Sequence, residues 1–388
     1  MANAADGILL AIAPLLAATL TRDPVLVSGV VVAQRLPWLL FGMFSGVVVD
    51  RFPRRTMITI GNLLRMVALA VLAVTLAFGA VSLPLLYAAI FVAGSAETLV
   101  DNASLSVLPE LVRRERLHDA NARLFTAQSV LNELAGPPLG GLLFSVSAVA
   151  AFATGSLFFL AAAALFLLLP RQRRNPAPRE PLRIALVEGL RAFWRVPALR
   201  VFVAIATVLN FASGAAMGVL VLLAQERLGL GDAGYGLLLI GAALGGIPGG
   251  LLAPLVIRII GEGPTMVLST LLPAFCYALL AATRSPVVAS LALGVAAFAS
   301  MHSNVVSATL RQATVPNHLL GRVAAVYRMI AIGSLALGGI AGGVVAGAFG
   351  LPAPYWMGAA MVLLLVLSVS TRLRTRDLRA LIEAASRK

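Results

Sequence analysis

Residues 46–55 read Gly46-Val-Val-Val-Asp50-Arg51-Phe-Pro-Arg54-Arg55. An apolar run, 26–49, leads into this stretch, and a second, 57–79, follows it. Each exceeds the ~20 apolar residues that cross a bilayer, so the decapeptide reads as a tight polar turn between two spans. Its three arginines hold it on the cytoplasmic side, where Lys and Arg of short loops are retained. Gly46 removes a side chain and lets helices approach closely. Asp50 lies at a helix C-terminus, where the dipole disfavours a carboxylate, so it needs a donor from a neighbouring helix or an arginine. Such a charge cluster can latch a moving protein in one state and release it in another.

The rest of the chain has the same texture. Of 388 residues, 60% are hydrophobic and 12% charged, against about 25% charged in soluble domains; the mean hydropathy is +0.96. These values exclude an ordinary cytosolic enzyme and a disordered chain. At roughly 32 residues per span and loop, the chain accommodates twelve transmembrane helices and no soluble domain. The expected spans are 2–21, 26–49, 57–79, 83–108, 121–146, 149–169, 198–224, 234–260, 264–283, 286–310, 321–349 and 352–371, with part of the long 321–349 run expected to be loop. A single cysteine, Cys276, excludes disulfides and cysteine clusters. His118, His302 and His318 are too far apart for a sequence-local metal site; no metal and no cofactor is expected.

A net charge of +14 would point to nucleic acid in a soluble protein. Here the charge follows topology instead, and no nucleic-acid partner is expected. Twenty-four of the Lys and Arg residues fall in the even-numbered loops and the tail, whereas the opposite side has only Arg22, Arg227 and Arg284. That split predicts an even number of spans with both termini in the cytoplasm. Residues 170–197 form the one substantial linker. RQRRNPAPREP is too polar to span, and Leu182, Ala185, Leu186, Gly189, Leu190 and Phe193 then recur at helical spacing, as in a helix lying on the inner membrane surface. The expected organisation is all-α: a six-helix bundle in 1–169, the linker in 170–197, a second six-helix bundle in 198–371 and a basic tail in 372–388. Paired bundles of this kind place a substrate site near mid-membrane between repeats.

The turn at Gly46, Asp50, Arg51, Arg54 and Arg55 resembles motif A of the major facilitator superfamily, Gly-x-x-x-Asp-Arg-x-x-Arg-Arg, with Pro53 in place of the usual glycine. In the fifth span, Gly136-Pro137-Pro138-Leu139-Gly140-Gly141 resembles the core of antiporter motif C, Gly-Pro-x-x-Gly-Gly, with Asn132 where a further glycine is usual. Gly136 and Gly140 stand four apart on one helical face, and the two prolines remove backbone donors and are expected to kink the span. The segments NELAGPPLGGLLF, LRQATVPNHLLGRVAAVYR and AETLVDNASLSVLPELVRRERLHDANA are similar to the branch that includes the enterobactin exporter and macrolide-efflux proteins. The resemblance implies a bacterial inner (plasma) membrane, alternating access, a proton gradient and an amphipathic or siderophore-like cargo handled by a monomer. Relatives carry about a dozen more residues before the first acidic position, where this chain has five before Asp6; an upstream start or a short first span is expected. The arginine motif of span four is missing, since no Arg occurs between 83 and 108.

Ionisable groups inside spans are costly and usually functional. Six occur in the first half: Asp6, Arg35, Arg65, Glu97, Asp101 and Glu133; Arg328 lies near an inner end of the second. At ~1.5 Å per residue, Asp6 and Glu97 share a level about 21–22 Å from the outer face. Glu97 and Glu133 are the leading candidates for proton coupling, followed by Asp6 and Asp101. Arg35 and Arg65 are their charge partners, and Asp101 is alternatively a structural partner of Arg51 or Arg54. Alternating access couples to protons when it changes the burial and neighbours of a carboxylate. Glu133 is expected on the same face as Pro137 and Gly141, four and eight residues on. Gln34, Gln128, Asn132, Asn210 and Asn304 are candidate cavity residues, or else interhelical hydrogen-bonding groups. Ser300, Ser303 and Ser307 share a face with Asn304, and His302, on another, is a further candidate proton carrier.

Proton-coupled export of an amphipathic small molecule fits this pattern best. An importer or uniporter of a polar nutrient needs more polar and aromatic lining than 6% aromatics supply. A transport-dead sensor is a further alternative. An enzyme needs a nucleophile with a base, or paired carboxylates. Linker 170–197 has only Glu180 and Glu188, and no catalytic residue is expected.

Overall fold

A computed structural model of the chain describes residues 1–111, 124, 126–168, 197–315 and 317–369. The basic turn 113–123, the proposed amphipathic linker helix and the tail lie outside the described residues. Among the described residues the secondary structure is entirely helical. The helices are α1 (Ala2–Leu20), α2 (Pro24–Arg51), α3 (Arg54–Ala77), α4 (Leu83–Leu111), α5 (Gly136–Val146), α6 (Ala148–Leu167), α7 (Pro197–Leu222), α8 (Asp232–Ile260), α9 (Glu262–Ala282), α10 (Pro286–Thr314), α11 (Asn317–Phe349) and α12 (Ala353–Val369). Ten described helices are long and apolar enough to cross a membrane, and Ala353–Ser368 is a shorter apolar one.

Local chemistry sets the helix ends. Asp23 Oδ1 accepts from Val25 N at 2.8 Å where α2 begins, and Ser147 and Ser285 accept from the first turns of α6 and α10. Only Gly261 separates α8 from α9; its φ of 87° is one that a side chain would strain. The motif-A turn is tighter than the apolar runs predict, because helix continues to Arg51 and resumes at Arg54. The 321–349 run contains no loop. Its glycines do not break α11, which runs unbroken from Asn317 to Phe349, since close packing against α7 compensates their weak propensity.

The fifth span differs more. A π-helical turn, Ser129–Ala135, precedes α5, and Pro137 and Pro138 both occupy the first turn of α5. Proline there lacks only donors that the start of a helix leaves unused, and the wider turn absorbs the mismatch upstream.

The chain forms two compact units, Met1–Arg179 with Val221–Ile240, and Glu180–Leu220 with Gly241–Lys388. In the first, α3 packs on α4 and α6, α2 on α4, and α1 on α5 and α6. In the second, α9 packs on α10 and α12. There α8 meets α10 at Gly241, Gly245 and Gly249 against Ser290, Gly294 and Phe298, and α7 meets α11 at Phe211, Gly214 and Ala215 against Leu335, Gly338 and Gly342. The pairings α2·α4 and α1·α5 of one unit thus recur as α8·α10 and α7·α11 in the other.

Candidate functional site

The first unit buries a charge cluster. Arg65 on α3 is 1% exposed, among the largest fully buried side chains of the protein. Its backbone level is fixed by α6, where Ser156 Oγ donates to Met66 O at 2.9 Å. One turn along α6, Phe159 lies under the guanidinium, whose Cζ is 4.1 Å from the ring centroid. A cation over an aromatic face in a desolvated setting is held by the ring quadrupole. Arg65 Nη2 forms an ion pair with Asp6 Oδ1 on α1. The charge of Arg65 also interacts with Glu97 and Asp101 on α4, and Asp101 interacts in turn with Glu97, Arg65 and Arg35 on α2.

Four helices therefore bring together five of the six charges expected within the first-half spans. Asp6 does not cap α1, which starts without a side-chain cap. Asp101 has Glu97, Arg65 and Arg35 as charged neighbours. Among the described residues, three carboxyls face two guanidiniums within this cluster.

Glu133 stands apart. It falls in the π-helical turn and is exposed, whereas Pro137 and Gly141 are buried. The expectation that the three share a face fails because a π turn carries more residues per turn than the 3.6 of an α-helix. The small-residue reading of the fifth span holds at short range. A Cβ on Gly136 would meet the backbone of Gly7 on α1, and one on Gly140 would stand 2.8 Å from Ile8 O. Gly141 faces Gly236 of α8, where a Cβ on either glycine would lie 3.0–3.1 Å from the other's Cα. Beside this contact Arg22 Nη1 donates to Gln225 Oε1 at 2.6 Å, and Gln225 Nε2 donates to Asp232 Oδ1 at 3.0 Å. Sequence reasoning did not find this polar chain, because Arg22 and Gln225 are 203 residues apart and neither belongs to a motif.

In the motif-A turn, Gly46, Asp50 and Arg51 lie in the final turns of α2, and Arg55 donates to Leu167 O at the end of α6. Among the cavity candidates, Gln34 gives a backbone carbonyl to the Gly94 contact between α2 and α4, and Asn132 one to the Gly7 contact. Gln128 is half-buried, one residue before the π turn. Asn210 donates back to Ala206 O at 2.8 Å, and Asn304 is exposed. His302 is buried, with Nδ1 2.8 Å from Phe298 O and its ring 4.5 Å from that of Phe298. Arg311 lies in the last turn of α10 rather than in a loop, 3.7 Å from the ring of Tyr327, and Arg328 is exposed.

The profile of a family described as transmembrane secretion effector matches residues 9–388. Uncharacterized MFS-type transporters of Mycobacterium tuberculosis and Mycobacterium bovis are 33% identical over 100 residues, a match that covers 26% of this chain and 22% of the length of each relative. Among solved structures, a bacterial homologue of the human lysosomal transporter Spinster, inward-facing and unoccupied, superposes with a TM-score of 0.72 at 15% identity, covering 98% of this chain and 95% of its own. The nucleoside transporter NupG superposes with a TM-score of 0.74 at 13% identity, covering 96% of each chain. Identities this low speak for the fold alone.

Proposed function

Because the chain belongs to the transmembrane secretion effector family of major facilitator transporters, and is thus a multi-pass secondary transporter of small molecules, we propose that it exports amphipathic cargo in exchange for protons. Twelve spans in two six-helix bundles, 1–169 and 198–371, would rock about a mid-membrane site, with the linker and both termini on the cytoplasmic side of a bacterial inner membrane. The observation that carries the reading is the buried Asp6–Arg65 pair together with Glu97, Asp101 and Arg35. With three carboxyls and two guanidiniums, the set is neutral when it holds one proton. An uncompensated charge costs more in a low-dielectric interior than a set of paired charges that sums to zero, so a change of access can load and release that proton.

Glu97 is the proposed carrier within the cluster. Glu133, without a charged neighbour among the described residues, is a second acidic site that senses cationic or amphipathic cargo or protons directly. Export is favoured over import by the tight α1·α5 crossing at Gly7, Gly136 and Gly140, which gives the motif-C resemblance a physical basis. Siderophore-like and macrolide-like molecules are the proposed cargo classes.

The test is transport in proteoliposomes with an imposed pH gradient, using a panel of dyes, macrolides and siderophores. Glu97→Gln is expected to lower gradient-driven efflux at least about a hundredfold, the range for losing a positioned proton-transfer group, while exchange of cargo without a gradient persists. Glu133→Gln is expected to lower both. Full gradient-driven efflux in both variants defeats the proton assignment, and uptake in place of efflux defeats the direction.

A further inference from the structure

The α3 helix carries a row of buried polar atoms that the ion pair does not use. Thr59 is 7% exposed, and its Oγ1 is buried without a hydrogen-bond partner. Asn62 is fully buried; its Nδ2 donates to Ile58 O at 2.9 Å, leaving Oδ1 buried without a donor. Arg65 Nε is buried without an acceptor. Threonine in a helix commonly returns its hydroxyl to the carbonyl one turn back. Thr75, Thr98 and Thr270 do so at 2.7–2.9 Å, whereas Thr59 does not. At ~1.5 Å per residue the three positions step about 4.5 Å along the axis, so the row covers about 9 Å from Arg65 toward the Arg54 end of α3.

Beyond the charges around Arg65, the described packing beside Thr59 and Asn62 is apolar. On α4, Val100 and Ala103 pack with Ile58 and Phe166 in an apolar cluster. On α6 the register is fixed by Leu69 against Gly155, Met66 against Ser156 and Arg65 against Phe159. The antiparallel continuation brings the run Ala161–Ala164 level with Asn62 and Thr59. Ala162 and Ala163 are 4% and 1% exposed, and their short side chains reach toward the row less than any other residue except glycine. Native proteins pair nearly all buried polar atoms, and where no protein group reaches they do so with ordered water, given a polar and roomy site.

We propose that this face of α3 holds a short file of ordered waters bridging Thr59 Oγ1, Asn62 Oδ1 and Arg65 Nε, and that the file is the proton route between the carboxyl cluster and the Arg54 end of α3. Arg65 Nε and the Thr59 hydroxyl donate to water, and water donates to Asn62 Oδ1. An excess proton entering at one end is matched by a different proton leaving at the other, so no bond is altered in net. The charged groups facing the file are Asp6 from α1, Arg35 from α2, and Glu97 and Asp101 from α4; α6 contributes Phe159. The waters rest on the unpartnered atoms alone, and the proton traffic rests on the coupling proposed above.

Full-length protein in proteoliposomes, carrying Thr59→Val with Asn62→Leu, tests both parts. Infrared difference spectra in ordinary and oxygen-18 water report isolated internal waters, and the wild type is expected to show isotope-shifted bands that the double variant lacks. Gradient-driven efflux of ethidium is expected to fall at least about tenfold, with gradient-free ethidium exchange within about twofold of the wild type. Thr59→Ser with Asn62→Ser, which keeps hydroxyls on the file, is expected to retain both signals. Bands that persist in the Val/Leu variant overturn the waters. Bands lost with efflux unchanged overturn the route. Bands present in a wild type that shows no gradient-driven transport overturn proton coupling and the route while leaving the waters in place.

Discussion

The interfaces α2·α4 and α8·α10 occupy the same place in the two units and differ in the charge around them. In α2·α4, Gly94 lies against the Gln34 carbonyl and Pro37, and the helices that meet there carry Arg35, Glu97 and Asp101. In α8·α10 the contacts run Gly241–Ser290, Gly245–Gly294 and Gly249–Phe298, with no Asp, Glu, Lys or Arg at any of them. Both seams bring backbone against backbone, a Cβ on Gly94 lying 2.7 Å from Gln34 O, but one is flanked by charges and the other is uncharged at each contact. The lesson is that a repeated scaffold divides the work: chemistry collects beside one seam, and the uncharged seam supplies mechanical definition.

Breaking the ion pair in the charge cluster beside the first seam has the largest expected effect. Arg65→Leu leaves Asp6 buried without its counter-charge and is expected to cost about 3–5 kcal/mol, read as a lowered melting temperature in detergent. Adding Asp6→Asn to that variant is expected to restore part of the loss. If Arg65→Leu alone melts like the wild type, the ion pair is not structural. In the uncharged seam, Gly245→Val puts a Cβ into the Gly294 carbonyl and is expected to cost about 1–3 kcal/mol by overpacking. Gly250→Val, where a Cβ meets nothing, is the control, with an expected change of about 0.5 kcal/mol or less. Equal losses in the two glycine variants deny that the seam is close-packed.

Smaller effects sharpen the contrast. His302→Leu removes the one imidazole of the described α10 segment and its bond to Phe298 O; a loss of about 0.5–1.5 kcal/mol is expected, with gradient-driven efflux retained. A loss of coupling in this variant places proton chemistry in the second unit and defeats the division of labour. Arg22→Ala breaks an exposed contact, with Arg22 and Glu226 side chains 60% and 48% exposed and 4.0 Å apart. An effect of about 0–1 kcal/mol, shrinking as salt is raised, is expected from melting curves.

Much of this was legible in the chain itself. The apolar runs foretold the helices because a span has a minimum length, and Asp6, Arg35, Arg65, Glu97 and Asp101 were recognisable because each is an anomaly in lipid. Depth arithmetic put Asp6 and Glu97 at one level, yet it did not pair Asp6 with Arg65, since depth says nothing about azimuth. Periodicity misplaced Glu133 because it assumes one helical pitch, and Ser129–Ala135 has another. Phe159 carried no signal at all: an aromatic residue among alanines on α6 reads as lipid-facing until the guanidinium above it is seen. Thr59 and Asn62 were passed over as ordinary helix residues, and only the absence of partners distinguishes them.

The α8·α10 seam has one further consequence. Its three contacts keep a constant offset of 49 residues over about two turns, so the helices run in the same direction and in step, with no bulky side chain between them to act as a cushion. Two rods glued along their length resist flexing far better than either rod alone. Over the stretch Gly241–Gly249 the pair therefore moves as one body, a lever rather than a spring.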